Sequence, residues 1–359
     1  MRILIDIGHP AHVHYFRNLA KQFISKGSEV LFTTRDKEVA IQLLDHYGFH
    51  YVNFGKPFKS RLGKIWGLFW FTLRVFVIAV KFKPDIYLNA TMYSAIVAWI
   101  LRRPHISLED TFNMEQVRLY LPFTTVVLTG SYPHSDLGKK EIRYNGYQEL
   151  AYLHPNWHSL DSEIVDSLHL KKSDKYFILR FVSWDASHDF GHKGITLDNK
   201  KKLISELSQY GDVLISSESE LPQELKQFQL KIRPERIHDV LGCCSLLVGE
   251  SFTMASECAM LGVPAIVIHN TKSFYLYDQE ERYGLVFNFS ESETDQKKAI
   301  KKAVELVKTP NLKEEWQLRR QRMLKDKIDP TKFFIWFIEK FPTSLKIIRA
   351  KPEIGSEFK

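Results

Sequence analysis

Short unbroken apolar runs alternate along this chain with stretches in which apolar residues return every three or four positions. Ile3–Ile7 is a run of the first kind and predicts a strand buried on both faces. Phe16, Leu19, Ala20 and Phe23 follow at helical spacing, which predicts a helix over about Val13 to Ser25, closed by Gly27. The scheme repeats with a strand at Glu29–Thr33, a helix at Lys37–Tyr47 ending at Gly48, and strands at Tyr51–Phe54, Asp85–Asn89, His105–Leu108 and Thr125–Leu128. Apolar strands separated by helices imply a parallel sheet covered on both sides.

The second half repeats the pattern. Tyr176–Phe181, Val213–Ser216, Leu246–Val248, Ala265–Ile268 and Leu285–Asn288 read as strands, with helices at Lys200–Tyr210, Ile237–Gly242, Thr253–Leu261 and Asp295–Lys308. An aromatic helix runs from Pro330 to Phe341, and Pro342 stops it. The polar stretch Leu160–Lys172 reads as the joint. The expected organisation is one doubly wound domain over 1–165, a second over 166–330, a helix over 331–342 returning to the first domain, and a loose tail over 343–359. Two such domains would face a cleft, with ligands beyond the carboxyl ends of the strands.

A length of 359 residues suits two cores rather than one, and 44% hydrophobic with 26% charged residues argues against disorder and against a polytopic membrane protein. The net charge of +8 is local. Nine basic residues and one acid, Asp85, lie between Lys56 and Arg103, leaving 41 charges of each sign elsewhere. That cluster surrounds the most apolar segment of the chain, which points to an anionic membrane surface and away from nucleic acid. Cys243, Cys244 and Cys258 form no spaced pair, so a disulfide framework or zinc site is not expected, and a reducing cytosol is. The start, with Asp6 and Gly8 breaking the apolar run, reads as a strand rather than a signal peptide.

The densest chemical signal spans Leu246–Ile268. A buried strand meets a small-residue turn and then a helix, with Gly262 suited to the left-handed position after it and Pro264 preventing continuation. Backbone amides of Ser251, Phe252 and Thr253 would point out of the helix start, where donors and dipole favour phosphate. Glu257, one turn on, is placed for two vicinal hydroxyls, so a diphosphate with a ribose beside it is the expected ligand. An ordinary strand–turn–helix with a solvent-facing Glu is the bland alternative.

The spacing from Gly249 through Glu250, Ser251, Thr253 and Glu257 to Pro264 resembles the donor segment of GT-B glycosyltransferases and the related UDP-GlcNAc 2-epimerases. The opening RILIDIGHPAHVHYF, the run RYNGYQELAYL at 143–153 and RFVSWDASHD at 180–189 resemble domain-of-unknown-function family 354, over roughly residues 1–340. The resemblance implies an α/β GT-B-like fold of two Rossmann-type domains, with a nucleotide sugar held mainly by the second.

It also implies roles for particular side chains. His12, then His14, in the loop after the first strand would act as base toward an acceptor hydroxyl, unless these histidines merely cap the helix. Glu109 and the adjacent Asp110 end another strand, with Glu109 the better match to the epimerase glutamate. Arg180 and His188 would reach the diphosphate, His238 the base and Gln279, with Glu280 and Glu281, the donor sugar. The absence of any Asp-x-Asp fits a mechanism without metal or other cofactor, the UDP-sugar entering as substrate.

Ile65–Val80 is sixteen residues long with Arg74 inside it, too short and too charged to span a bilayer. It reads either as a buried helix or as one resting in the interface, with Trp66 and Trp70 at headgroup depth, Phe69 and Arg74 also on the membrane side and flanking lysines meeting anionic lipid. The leading expectation is a peripheral, cytoplasmic-face glycosyltransferase acting on a glycan or lipid-linked acceptor. A 2-epimerase-type isomerase and a non-catalytic nucleotide-sugar binder are the rivals.

Overall fold

A computed structural model describes residues 1–56, 58, 61–89, 91–170, 175–182 and 194–359. In chain order its elements begin β1 Arg2–Ile7, α1 Pro10–Ser25, β2 Glu29–Thr34, α2 Glu38–His46, β3 Tyr51–Asn53, α3 Arg61–Phe82 and β4 Ile86–Leu88. They continue α4 Met92–Ile100, β5 His105–Glu109, α5 Met114–Tyr120, β6 Val126–Gly130, β7 Glu141–Tyr144 and α6 Leu150–Leu153. Next come β8 Tyr176–Phe181, α7 Leu197–Leu207, β9 Asp212–Ser217, α8 Ile237–Cys243, β10 Leu246–Gly249, α9 Phe252–Leu261 and β11 Ala265–Ile268. The chain closes with α10 Phe274–Asp278, β12 Val286–Phe289, α11 Glu293–Lys308, α12 Leu312–Asp326, α13 Pro330–Glu339 and α14 Thr343–Ala350.

The chain divides into two compact units, 1–152 with 327–359, and 153–326. The first holds a seven-stranded parallel sheet ordered β3-β2-β1-β4-β5-β6-β7; the second holds a five-stranded parallel sheet ordered β12-β11-β10-β8-β9. β1 is central in its sheet, and Ile3, Leu4 and Ile5 are fully buried, as a strand covered on both faces requires.

The break falls at 152, earlier than the expected joint. Arg17 donates to the Tyr152 carbonyl at 3.2 Å, and Asn18 and Thr331 both donate to that of Ala151, at 2.9 and 2.7 Å. These bonds tie the chain to α1 and α13 through Tyr152. Asp161, by contrast, is held by Arg236 at 2.6 Å, so 153–165 belongs to the second unit. The tail expected to be loose is also structured: α14 buries Ile348, and Ser344 Oγ donates to the Phe337 carbonyl.

α3 is apolar on two faces. Phe71, Val75 and Ala79, four apart, pack inward with Leu4, Phe54, Tyr87, Val97 and Ala98. Trp66, Phe69, Trp70, Leu73, Val77 and Val80 face outward and are exposed. Arg74 does neither; its guanidinium lies over the Trp70 and Phe54 rings at 5.7 and 5.8 Å. Among the described residues no helix is long and apolar enough to cross a membrane.

Candidate functional site

In the first unit the candidate residues gather at the carboxyl ends of β1, β4 and β5. His9 caps α1, its Nδ1 accepting from the Ala11 amide at 3.2 Å, with Pro10 in the first helical position. His12 Nδ1 accepts from the Gly8 amide at 3.2 Å and lies 2.6 Å from Asn89 Nδ2. A backbone amide can only donate, so Nδ1 is the acceptor and the neutral ring carries its hydrogen on Nε2. Burial, then the neighbouring His9, Lys37 and Arg35, hold its pKa well below the usual value. His12 is therefore a neutral hydrogen-bond donor, and the expected role as base is corrected. His14 is buried, stacked on Tyr152 at 5.4 Å and 3.4 Å from Arg17 Nη1, an interior position that removes it as runner-up.

The two adjacent acids exchange roles. Glu109 Oε1 accepts from the Thr111 amide, the Thr111 hydroxyl and the Phe112 amide at 3.1, 2.9 and 2.8 Å, and Oε2 accepts from Tyr120 at 2.6 Å. With both oxygens committed and 5% exposure, Glu109 shapes the loop after β5 and is not the better catalytic candidate. Asp110 is partly open. Tyr15 donates to its Oδ2 at 3.3 Å, and the Gln148 amide, oriented to satisfy both neighbours, donates to the same oxygen at 3.3 Å while accepting from the Glu109 amide at 3.2 Å. Burial and the Glu109 charge push the Asp110 pKa up to about 7, where a carboxyl can give and take a proton at neutral pH.

In the second unit, α9 starts at the end of β10. Ser251 caps it by accepting from the Met254 amide at 3.4 Å, and Gly262 closes it at φ 73°. The Phe252 and Thr253 amides have no acceptor within a helix that begins there. The Phe252 ring meets His269, just past β11, with centroids 4.3 Å apart. His269 Nδ1 accepts from the Thr271 amide at 2.8 Å, which places the neutral ring's hydrogen on Nε2. A helix start beside a histidine donor is a local environment for an anion.

The neighbouring residues have other work. Gly249 is required by strand spacing: a Cβ there would lie 2.3 Å from the Arg180 carbonyl oxygen on the paired strand. Glu250 is buried and accepts from the Val182 and Ile195 amides at 2.9 and 2.6 Å, so it fastens backbone instead of meeting a donor. Arg180 donates to Ser216 Oγ at 2.9 Å and pairs with Glu218; that pairing takes the fork expected to hold phosphate. Gln279 is wholly buried and donates to Ser256 at 2.7 Å, a core contact and not a sugar contact. Glu280 Oε2 accepts from Asn288 Nδ2 at 2.7 Å, and Glu281 is exposed. His188 lies outside the described residues.

Glu257 departs most from expectation. It is 4% exposed, and its Oε1 lies 3.0 Å from His238 Nε2, which is also buried. The structure thus joins two predicted donor residues, but as an interior pair. The pattern Glu-at-four-after-Thr gave the right neighbourhood and the wrong exposure. His269, Tyr15 and Gln148 were missed, because each acquires its place only through pairing across distant elements. The histidines after β1 do not converge: His9 and His12 ring centroids are 6.1 Å apart, and His14 turns inward.

Strand-end loops on two parallel, helix-covered sheets define a GT-B-like α/β fold with two Rossmann-type units, and solved structures share it. UDP-GlcNAc 2-epimerase from Neisseria meningitidis bound to UDP-GlcNAc is similar over 95% of this chain and 100% of its own, at TM-score 0.65 and 13% identity. SsfS6, a Streptomyces sp. SF2575 glycosyltransferase, matches over 95% and 100%, at TM-score 0.59 and 15% identity. The chain itself belongs to the family described as "Protein of unknown function (DUF354)", which matches residues 1–329. An uncharacterized protein of Methanocaldococcus jannaschii, MJ0665, is 26% identical over 282 residues, covering 74% of this chain and 80% of that one.

Proposed function

We propose that the chain is a sugar-nucleotide enzyme that transfers a glycosyl group from a nucleotide-diphosphate donor, with UDP the base-carrying half, to an acceptor hydroxyl on a glycan or lipid-linked intermediate. The observation that carries this reading is the α9 start with His269 beside it, in a fold whose neighbours include a protein bound to UDP-GlcNAc. The Phe252 and Thr253 amides and His269 Nε2–H offset the charge that builds on the leaving diphosphate, so the mechanism does not call on a metal. Asp110 takes the proton from the acceptor hydroxyl, with its pKa near 7 poised for that step. His12 Nε2–H donates to a substrate oxygen. Glu257, paired with His238 in the interior, supports the α9 segment from behind and is given no contact with the donor.

A 2-epimerase reading draws on a different aspect of Asp110, its capacity both to abstract and to return a proton. Incubation with UDP-sugars separates the two. Release of UDP only when an acceptor is present supports transfer. Stoichiometric epimer formed from the nucleotide sugar alone, with free UDP and no acceptor, overturns it in favour of isomerisation, and no turnover with tight binding favours a non-catalytic binder.

A further inference from the structure

The outward face of α3 and the end of α4 form an exposed apolar surface with cations along one border. On α3 the exposed residues Trp66, Phe69, Trp70, Leu73, Val77 and Val80 recur at helical spacing, a stripe about 21 Å long at 1.5 Å per residue. Phe69 is 67% exposed and Trp66 61%. The α4 helix packs beside α3, Phe71 meeting Tyr93 at 5.5 Å, and ends with Trp99, 60% exposed, and Ile100. Single exposed apolar residues are ordinary; a stripe with two tryptophans, and a third exposed at the end of the neighbouring helix, is not.

The cations lie where the two helices end. Lys81, Lys83, Arg102 and Arg103 are exposed and, among the described residues, none of them pairs with a carboxylate. The sole acid of the region, Asp85, accepts from the Arg2 amide at 2.8 Å. Lys83 and Arg102 both adopt left-handed backbone, at φ 53°, where glycine is the less strained residue. Both helix ends thus keep a cation at a position where the fold favours glycine.

We propose that this face docks the protein onto an anionic lipid bilayer, with the α3 stripe and Trp99 entering the interface and the four cations meeting lipid phosphates. Tryptophan suits that depth, having an apolar body and a polar N–H. An isologous contact with a second copy would offer these cations no acid of the same segment but Asp85, which already accepts from the Arg2 amide, whereas lipid phosphates complement all four charges. The inference goes beyond the glycosyl reading and is consistent with a lipid-linked acceptor.

The test is sedimentation of the full-length protein with vesicles of neutral phosphatidylcholine, alone or mixed with phosphatidylglycerol, at low and high salt. Binding is expected only with the anionic mixture, is expected to weaken with salt, and is expected to fall by about five-fold for each cation removed by substitution. K83G/R102G relieves left-handed strain, so its melting temperature should hold or rise while binding falls; W66E/F69E should abolish binding. Equal binding to neutral vesicles, no binding at all, or a dimer that W66E/F69E dissociates would each overturn the proposal. UDP-induced thermal stabilisation of the same variants is expected to be unchanged, which separates this surface from the nucleotide reading.

Discussion

Tyr15, on the first helix, donates its phenolic hydrogen to Asp110 Oδ2 at 3.3 Å, at the end of β5 and 95 positions away in sequence. Its ring also lies 5.9 Å from that of His12 and 5.5 Å from that of Tyr152. The contact marks Asp110, and not its neighbour Glu109, as the acid presented by this half of the protein.

Asp110→Asn is expected to lower turnover by about 10²–10⁴-fold with little effect on nucleotide affinity. The wild-type rate should rise through pH about 7, as the base form accumulates. A stability signature accompanies it. The folded carboxyl binds its proton more tightly than the unfolded one, so its contribution is fully present below pH about 4 and is lost as pH rises to about 7. Above pH 7 the Asn variant should therefore melt higher than wild type, and a melting series across pH measures this. A pH-independent rate would contradict the role.

Glu109→Ala should act on stability. It strands the buried Phe112 amide and Tyr120 hydroxyl and releases the more exposed Thr111 amide, a loss of about 2–4 kcal/mol in chemical denaturation. A variant as stable as wild type but catalytically dead would return Glu109 to the chemistry.

His105 gives an acid-side counterpart. Its ring is wholly buried between Thr124 Oγ1, at 2.5 Å, and Ser94 Oγ, at 3.2 Å, and burial depresses its pKa to about 3. A histidine kept neutral in the fold contributes stability above pH about 6.5, and that contribution is lost as pH falls toward 3 because only the unfolded chain takes up the proton. The slope of unfolding free energy between pH 6.5 and about 5 should flatten in His105→Asn.

The hydrophobic pattern was enough to locate β1, β5, β8, β10 and β11, because each is a short run buried on both faces. It missed β7, where Ile142 and Tyr144 alternate with Glu141 and Arg143 at a sheet edge, and α12, in which Trp316 and Met323 alone are buried among charges. Site residues followed the same logic. Glycine and serine at the start of α9 are dictated by local backbone and were legible. The fates of Arg180, Glu250 and Glu257 were set by Glu218, by the Val182 and Ile195 amides and by His238, partners that sequence spacing does not reveal.

Gly249→Ala tests the reading of that glycine as strand packing. The added methyl meets the Arg180 carbonyl oxygen at 2.3 Å, and β10 must separate from β8 to admit it. A destabilisation of about 2–4 kcal/mol is expected, with any loss of ligand binding tracking the loss of folded protein in a thermal melt.

The central claim is that the start of α9 with His269 accepts a diphosphate, and calorimetric titration of the full chain with UDP, UMP and uridine tests it most directly. UDP should bind at least about ten-fold more tightly than UMP and uridine weakest of the three, with His269→Ala and not Glu281→Ala removing the advantage of the second phosphate. Equal affinity for UDP and uridine, or no heat with any of them, would contradict it.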